Sequence, residues 1–201
     1  GSVDLLVVSK TWEANVVCPL VEAGHTLYGE NRVQEASEKI SLLPPHLKWH
    51  LIGHLQKNKV RKALPLFQTI HTVDSHGLAR QIDRIAQEMG LFPRVLLQVN
   101  VGDEPQKSGF APGTLRAVLG DILTLPRLEI AGLMAIPPFS EDPEDVRPHF
   151  RALRVLRDEL AETFSHPLPE LSMGMTSDFE VAIQEGATIV RVGSAIFGSR
   201  H

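Results

Sequence analysis

The chain has a single cysteine, Cys18, so no intrachain disulfide can form. That sparing use of cysteine favours a reducing compartment, the cytoplasm. No apolar run approaches the ~20 residues that a membrane-crossing helix needs, and no signal-peptide pattern opens the sequence. Charge of one sign is not in excess. A formal net charge of -4 and a pI near 6.1 argue against a nucleic-acid surface made by bulk positive charge. There is no internal repeat, no low-complexity tract and no linker-like break in composition. The 201 residues therefore read as one domain, 1–201, with enough apolar content to bury a core. Gly1-Ser2 reads as a cloning remnant. The nine histidines and one cysteine make no ligand pattern. His50 and His54 are spaced H-x₃-H, but Leu51 stands where a zincin has glutamate and the segment reads as strand and loop, so no metal is expected there.

What is present is an alternation of short apolar runs with longer amphipathic ones. Strands are expected at Asp4–Lys10, Thr26–Asn31, Lys48–Gly53, Thr69–Asp74, Arg94–Asn100, Glu129–Ile136, Glu170–Gly174 and Ala187–Gly193. Most are rich in β-branched residues, bounded by Gly, Pro, Asn or Asp, and several are apolar on both faces, as buried parallel strands are. Between them lie helical patterns: Leu78, Ile82, Ile85, Ala86 and Met89 recur at helical spacing, as do Phe150, Leu153, Leu156, Leu160 and Phe164. Ser177 and Glu180 look like a capping box, Pro112 and Pro143 sit near expected helix starts, and Ile136–Pro148 reads as a loop. Strand–helix alternation with this strand number closes as a (β/α)₈ TIM barrel. A doubly wound sheet would carry G-x-G-x-x-G after its first strand, and none is there. The last helix is expected to be missing, or supplied by an absent N-terminal segment.

In such a barrel the reactive groups lie at the C-terminal ends of strands. Lys10 ends the first apolar run, and alternation places it on one face with Leu6 and Val8. If that face is the lumen, desolvation favours the free amine, a nucleophile toward aldehydes; otherwise Lys10 simply reaches solvent. The segments Ser172–Ser177 and Gly193–Gly198 stand where barrels of this class bind phosphate, at the loops after strands seven and eight. Their hydroxyls also suit plain helix capping. Arg191 falls inside an apolar strand, and a buried arginine needs a partner, either a ligand acceptor or a carboxylate. Glu30 and Glu35 could be acid/base carboxylates, with Glu35 better read as solvated. Lys57, Lys59, Arg61 and Lys62 form a basic run that reads as a solvated helix face.

LLVVSKT (Leu5–Thr11), YGENRVQE (Tyr28–Glu35), WHLIGHLQKNK (Trp49–Lys59), KSGF (Lys107–Phe110), GLMAIPP (Gly132–Pro138), LSMGMTSDFEVAI (Leu171–Ile183) and VRVGSAIFG (Val190–Gly198) occur in that order. On that series the chain resembles the pyridoxal phosphate homeostasis proteins, the YggS/PROSC family. The resemblance implies a fold-type III barrel like the N-terminal domain of alanine racemase, with pyridoxal 5′-phosphate (PLP) as cofactor. It implies that Lys10 is the Schiff-base lysine and that Arg191 faces the pyridine nitrogen. It further implies that Gly193, Ser194 and Ser172 belong to phosphate-binding segments, and that Asn31 lies near the ring. The chain departs from the family in having Trp12 and Glu13 where a basic residue and a proline are common after SKT, and in lacking the helix that usually precedes the first strand.

Three functions compete. The first is a monomeric PLP-binding protein of intracellular PLP homeostasis that hands the cofactor to apo PLP-dependent enzymes, without robust turnover. The second is a PLP-dependent racemase or decarboxylase; the third is a Schiff-base aldolase. A racemase of this type takes a second base, a tyrosine, from another domain. The sequence runs only eight residues past Gly193, and its only tyrosine, Tyr28, is expected to pack. The motif series favours PLP over a sugar phosphate, so the first function is expected.

Overall fold

The computed structural model describes residues 1–199. Its strands are β1 (Asp4–Val8), β2 (Leu27–Glu30), β3 (Lys48–Leu51), β4 (Thr69–Val73), β5 (Arg94–Gln98), β6 (Glu129–Met134), β7 (Glu170–Ser172) and β8 (Ile189–Val192). All pair in parallel with their sequence neighbours, and β8 returns to β1, closing the barrel. The register Leu6↔Arg191 and Val7↔Val192 makes that closure. The helices α1 (Ala14–Glu22), α2 (Val33–Leu42), α3 (Val60–Ala63), α4 (His76–Met89), α5 (Pro112–Leu123), α6 (Arg147–Thr163), α7 (Phe179–Gln184) and α8 (Ser194–Phe197) follow the strands in turn. Among the described residues, no helix is long and apolar enough to cross a membrane.

Two apolar layers result from strand alternation. Leu6, Leu96, Ala131, Met134 and Ile189 fill the lumen, with Val8, Leu27 and Ile52 against them. The alternate residues, such as Val7, Tyr28, Leu51 and Leu97, face outward and pack with the helices. The stripes expected on α4 and α6 are buried there except at their ends, where Met89 and Phe164 are partly buried. Ser75 caps α4 by accepting from the Leu78 N–H, and Gly90 closes it at φ 68°. Arg94 joins Glu129 and Glu170 at 3.2 and 3.3 Å, linking the N-terminal ends of three strands. Glu185 accepts from Arg147, Arg151 and Arg154, fastening α6 to the end of α7.

Three local expectations need correcting. Every strand stops one or two residues before its expected C-terminal end, because those last residues leave the ladder for the loops. Ser177 and Glu180 form no capping box: α7 begins at Phe179, and Asp178 instead accepts from the Met175 N–H at 2.7 Å. A short helix, α8, does follow β8, and the barrel closes on the described strands alone.

Candidate functional site

The β1 ladder ends with Ser9, whose N–H donates to the Gly29 carbonyl at 3.1 Å, and the chain then turns. The Trp12 N–H donates to the Ser9 carbonyl at 3.1 Å, so Lys10 and Thr11 occupy the centre of a tight turn. Thr11 has φ 66°. A positive φ at that position is what a type II turn demands, and it is strained for a β-branched residue. Lys10 thus lies beyond the strand, exposed at the mouth, with no ion pair or hydrogen bond on its ammonium among the described residues.

Behind the turn sits a buried polar triad. The Ser9 hydroxyl donates to Glu30 Oε1 at 2.8 Å, Lys39 Nζ donates to the same oxygen, and Lys39 also donates to the Ser9 carbonyl at 2.6 Å. Burial pushes the Glu30 carboxyl above the ordinary range, against the opposing pull of Lys39, and Glu30 Oε2 has no partner. Glu30 is therefore held in the wall. Lys39 does not stand out as a site residue in the sequence. Its signal was its place three residues after Ala36, on the face of α2 that is buried.

Arg191 is 3% exposed, inside the lumen. Its Nη1 donates to Ser172 Oγ at 2.6 Å and its Nη2 to the Ala135 carbonyl at 3.0 Å. Both partners are neutral. Burial pulls the guanidinium down to about 10, with Asp178 opposing at longer range. Ser172 Oγ lies 2.8 Å from His71 Nδ1, and His71 Nε2 lies 2.9 Å from His50 Nδ1. Burial drives His50 down to about 4 and His71 well below the usual imidazole range. Ser172 and Ser194 differ in exposure. The buried Ser172 hydroxyl is taken up by Arg191 and His71, whereas Ser194 is exposed on the loop side.

Gly193 leads into α8, and its carbonyl accepts from the Ile196 and Phe197 N–H groups. A Cβ on Gly193 would stand 3.2 Å from Val8, so glycine permits β1 and β8 to approach closely at the mouth. The first N–H groups of a helix have no intrahelical partner, and here they open beside the exposed Ser194. Asn31 is half-buried just past β2 and borders a hollow of about 470 Å³ shared with Arg32, His54 and Lys59. Gly53 abuts it so tightly that a Cβ would sit 2.1 Å from the Asn31 carbonyl oxygen. His50 and His54 diverge, His54 lying exposed 3.4 Å from Asp74. Tyr28 packs outside the wall on Trp49, its hydroxyl donating to the His25 carbonyl at 3.0 Å. A groove of about 650 Å³, lined by the turn before α1 (including Trp12) and by residues of α1 and α2 such as Cys18 and Leu42, also lies outside the wall.

A family profile described as the N-terminal domain of alanine racemase matches residues 3–201. A protein of Aquifex aeolicus named "Pyridoxal phosphate homeostasis protein" is 48% identical over 98% of this chain and 86% of its own length. The human protein of the same name is 41% identical over 98% of this chain and 76% of its own. The structure of PipY from Synechococcus elongatus with PLP bound superposes with a TM-score of 0.91 at 43% identity, covering 98% of this chain and 92% of that one. The chain therefore belongs to the alanine racemase N-terminal-domain family and, within it, to the pyridoxal phosphate homeostasis proteins.

Proposed function

We propose that this chain binds PLP at the mouth of its barrel, holds it as a Schiff base on Lys10 and serves intracellular PLP homeostasis rather than catalysis. The observation that carries the reading is Arg191: a buried cation whose partners are all neutral, at the C-terminal end of β8. A guanidinium has five N–H donors, so Arg191 keeps donors for an uncharged acceptor such as a pyridine nitrogen. The rest of the site also fits the group, with an unpaired amine on Lys10 and open N–H groups beside Gly193 and Ser194. When bound, PLP supplies an aldehyde that an amine captures reversibly. Lys10 Nζ would be the amine that meets that aldehyde. Arg191 keeps the ring side cationic, which disfavours a second proton there and weakens carbanion stabilisation. Gly193 and Ser194 take the phosphate, Asn31 borders the ring, and Ser172 serves Arg191 rather than the phosphate.

A non-catalytic role is supported by Tyr28, the only tyrosine, which is spent in the outer core and unavailable as a second base. Exposure of Lys10 favours loading and release over protected carbanion chemistry. The recipients we propose are apo PLP-dependent enzymes, met by a monomer in the cytoplasm. The test is to add PLP, reduce with borohydride and map peptides, and in parallel to assay alanine racemisation and transfer of PLP to an apo-enzyme. The expected result is label on Lys10, measurable transfer and negligible turnover. Label on another lysine would remove Lys10 from its role. Turnover of ~1–10³ per second would restore the enzyme reading.

A further inference from the structure

Four side chains from four strands make one hydrogen-bonded line across the lumen: Arg191 of β8, Ser172 of β7, His71 of β4 and His50 of β3. The steps are 2.6, 2.8 and 2.9 Å, and the middle one joins residues 101 apart in sequence. All four side chains are buried, with Ser172 and His71 fully so. Binding of PLP gives Arg191 a task but leaves His50 and His71, both buried, without one.

The direction of the line can be deduced. Arginine only donates, so Ser172 Oγ accepts at its Arg191 side. If His71 Nδ1 also donated to Ser172, the serine would accept twice and its own buried proton would be left without an acceptor, a costly state. If instead Ser172 donates to His71 Nδ1, the serine hydroxyl and both ring nitrogens of His71 are used. His71 then carries its proton on Nε2 and donates to His50 Nδ1, and His50 likewise carries its proton on Nε2. Both rings must be neutral for this order. Their environment agrees, since burial and the nearby charges of Arg94, Lys48 and Arg191 all oppose a second proton on either ring.

We propose that His71, with His50 behind it, is a positioning residue for Arg191. By drawing the Ser172 proton toward itself, His71 turns the serine lone pair onto the guanidinium, and so fixes the cation in the place and orientation that meets the ring side of the bound cofactor. This rests on the PLP reading for its consequence but not for its geometry, and the two can fail separately. Without His71, the Ser172 hydroxyl is free to turn its proton toward Arg191, where donor meets donor and the guanidinium loses its anchor.

The experiment has a ligand-free arm and a PLP arm. In the ligand-free protein, side-chain ¹⁵N correlation spectra are expected to show both His50 and His71 as neutral Nε2–H tautomers; an Nδ1–H tautomer at His71 would overturn the proposal. In the second arm, His71→Leu is expected to bind PLP roughly tenfold more weakly with a displaced visible absorption band. His71→Asn, whose Oδ1 can accept from Ser172, is expected to restore most of both. Ser172→Ala, which removes the connecting oxygen without a large change of volume, is expected to mimic His71→Leu. Wild-type affinity and absorption in a folded His71→Leu protein would show that the histidines only fill space. Failure of the wild type to bind PLP at all would sink the proposed function, while the tautomer result would still judge the line itself.

Discussion

A buried charge without a counter-charge costs several kcal/mol, and a well-packed apolar side chain in its place is often neutral or stabilising. Arg191, 3% exposed between a serine hydroxyl and a backbone carbonyl, carries that cost. Two effects oppose each other in Arg191→Met. Removing the guanidinium relieves the unpaired charge, but it strips Ser172 and Ala135 of a donor at about 1–3 kcal/mol for each buried group left unmatched. The charge term is the larger, so the ligand-free variant is expected to melt at or above the wild-type temperature. PLP affinity should fall ten- to a hundredfold, the worth of one charge-assisted hydrogen bond of about 1.5–3 kcal/mol. Calorimetric melting and PLP titration check both, and unchanged affinity would make the arginine structural only. At this scale the sequence announces Arg191, because a cation inside VRVG stands out against its apolar neighbours. It does not announce the partner of Ser172, since nothing in the chain shows which residues face each other across a lumen.

At the scale of elements, strand identity was legible and strand ends were not. Alternation finds DLLVV and TIHTV as strands, but the point at which the ladder yields to a turn depends on backbone events such as the positive φ of Thr11, which a threonine does not advertise. The same holds for the joint between β1 and α2. Lys39 looks like a solvated helix residue in VQEASEKISL, yet it is 6% exposed and bonded to Glu30 and to the carbonyl that precedes Lys10. Removing one member of such a pair leaves the other buried and uncompensated. Lys39→Met is therefore expected to destabilise by about 3–5 kcal/mol, and in the protein that remains folded to slow borohydride-trappable labelling of Lys10. Glu30→Gln combined with Lys39→Met removes both charges and should recover much of the stability. A double variant no better than Lys39→Met alone, measured by urea unfolding, would show that packing rather than charge holds this joint.

For the molecule as a whole, the lumen ties stability to pH. The closed barrel was legible in the sequence because strand number and alternation suffice for it, whereas the buried titratable groups it encloses follow from which strands face one another. His50 falls from the usual value of 6.5 to about 4, and His71 is likewise held well below 6.5. As pH drops below 6.5, the unfolded chain takes up protons at both residues that the folded barrel refuses. The unfolded state then binds more protons, so stability declines as pH falls from about 6.5 to about 4. For His50 alone that shift is worth about 3 kcal/mol, a large part of the 5–15 kcal/mol typical of a domain. Glu185, held near 2 first by Arg151 and then by Arg147 and Arg154, adds a second loss at lower pH, from the usual 4.5 down toward 2. Glu30 has the opposite sign: its carboxyl is raised above 4.5, so the folded state takes up a proton above that pH and offsets part of the first decline. The first decline is thus a histidine effect, and it comes before ordinary carboxylates titrate. Urea unfolding of the ligand-free protein at pH 7, 5.5 and 4.5 should show a steady fall in midpoint, and His50→Gln should lessen that fall, with the His71 share and the Glu185 loss below pH 4.5 left in place. A wild-type midpoint that stays constant from pH 7 to 4.5 would mean that the rings are not held neutral, and that the line across the lumen does not have the proton order deduced for it.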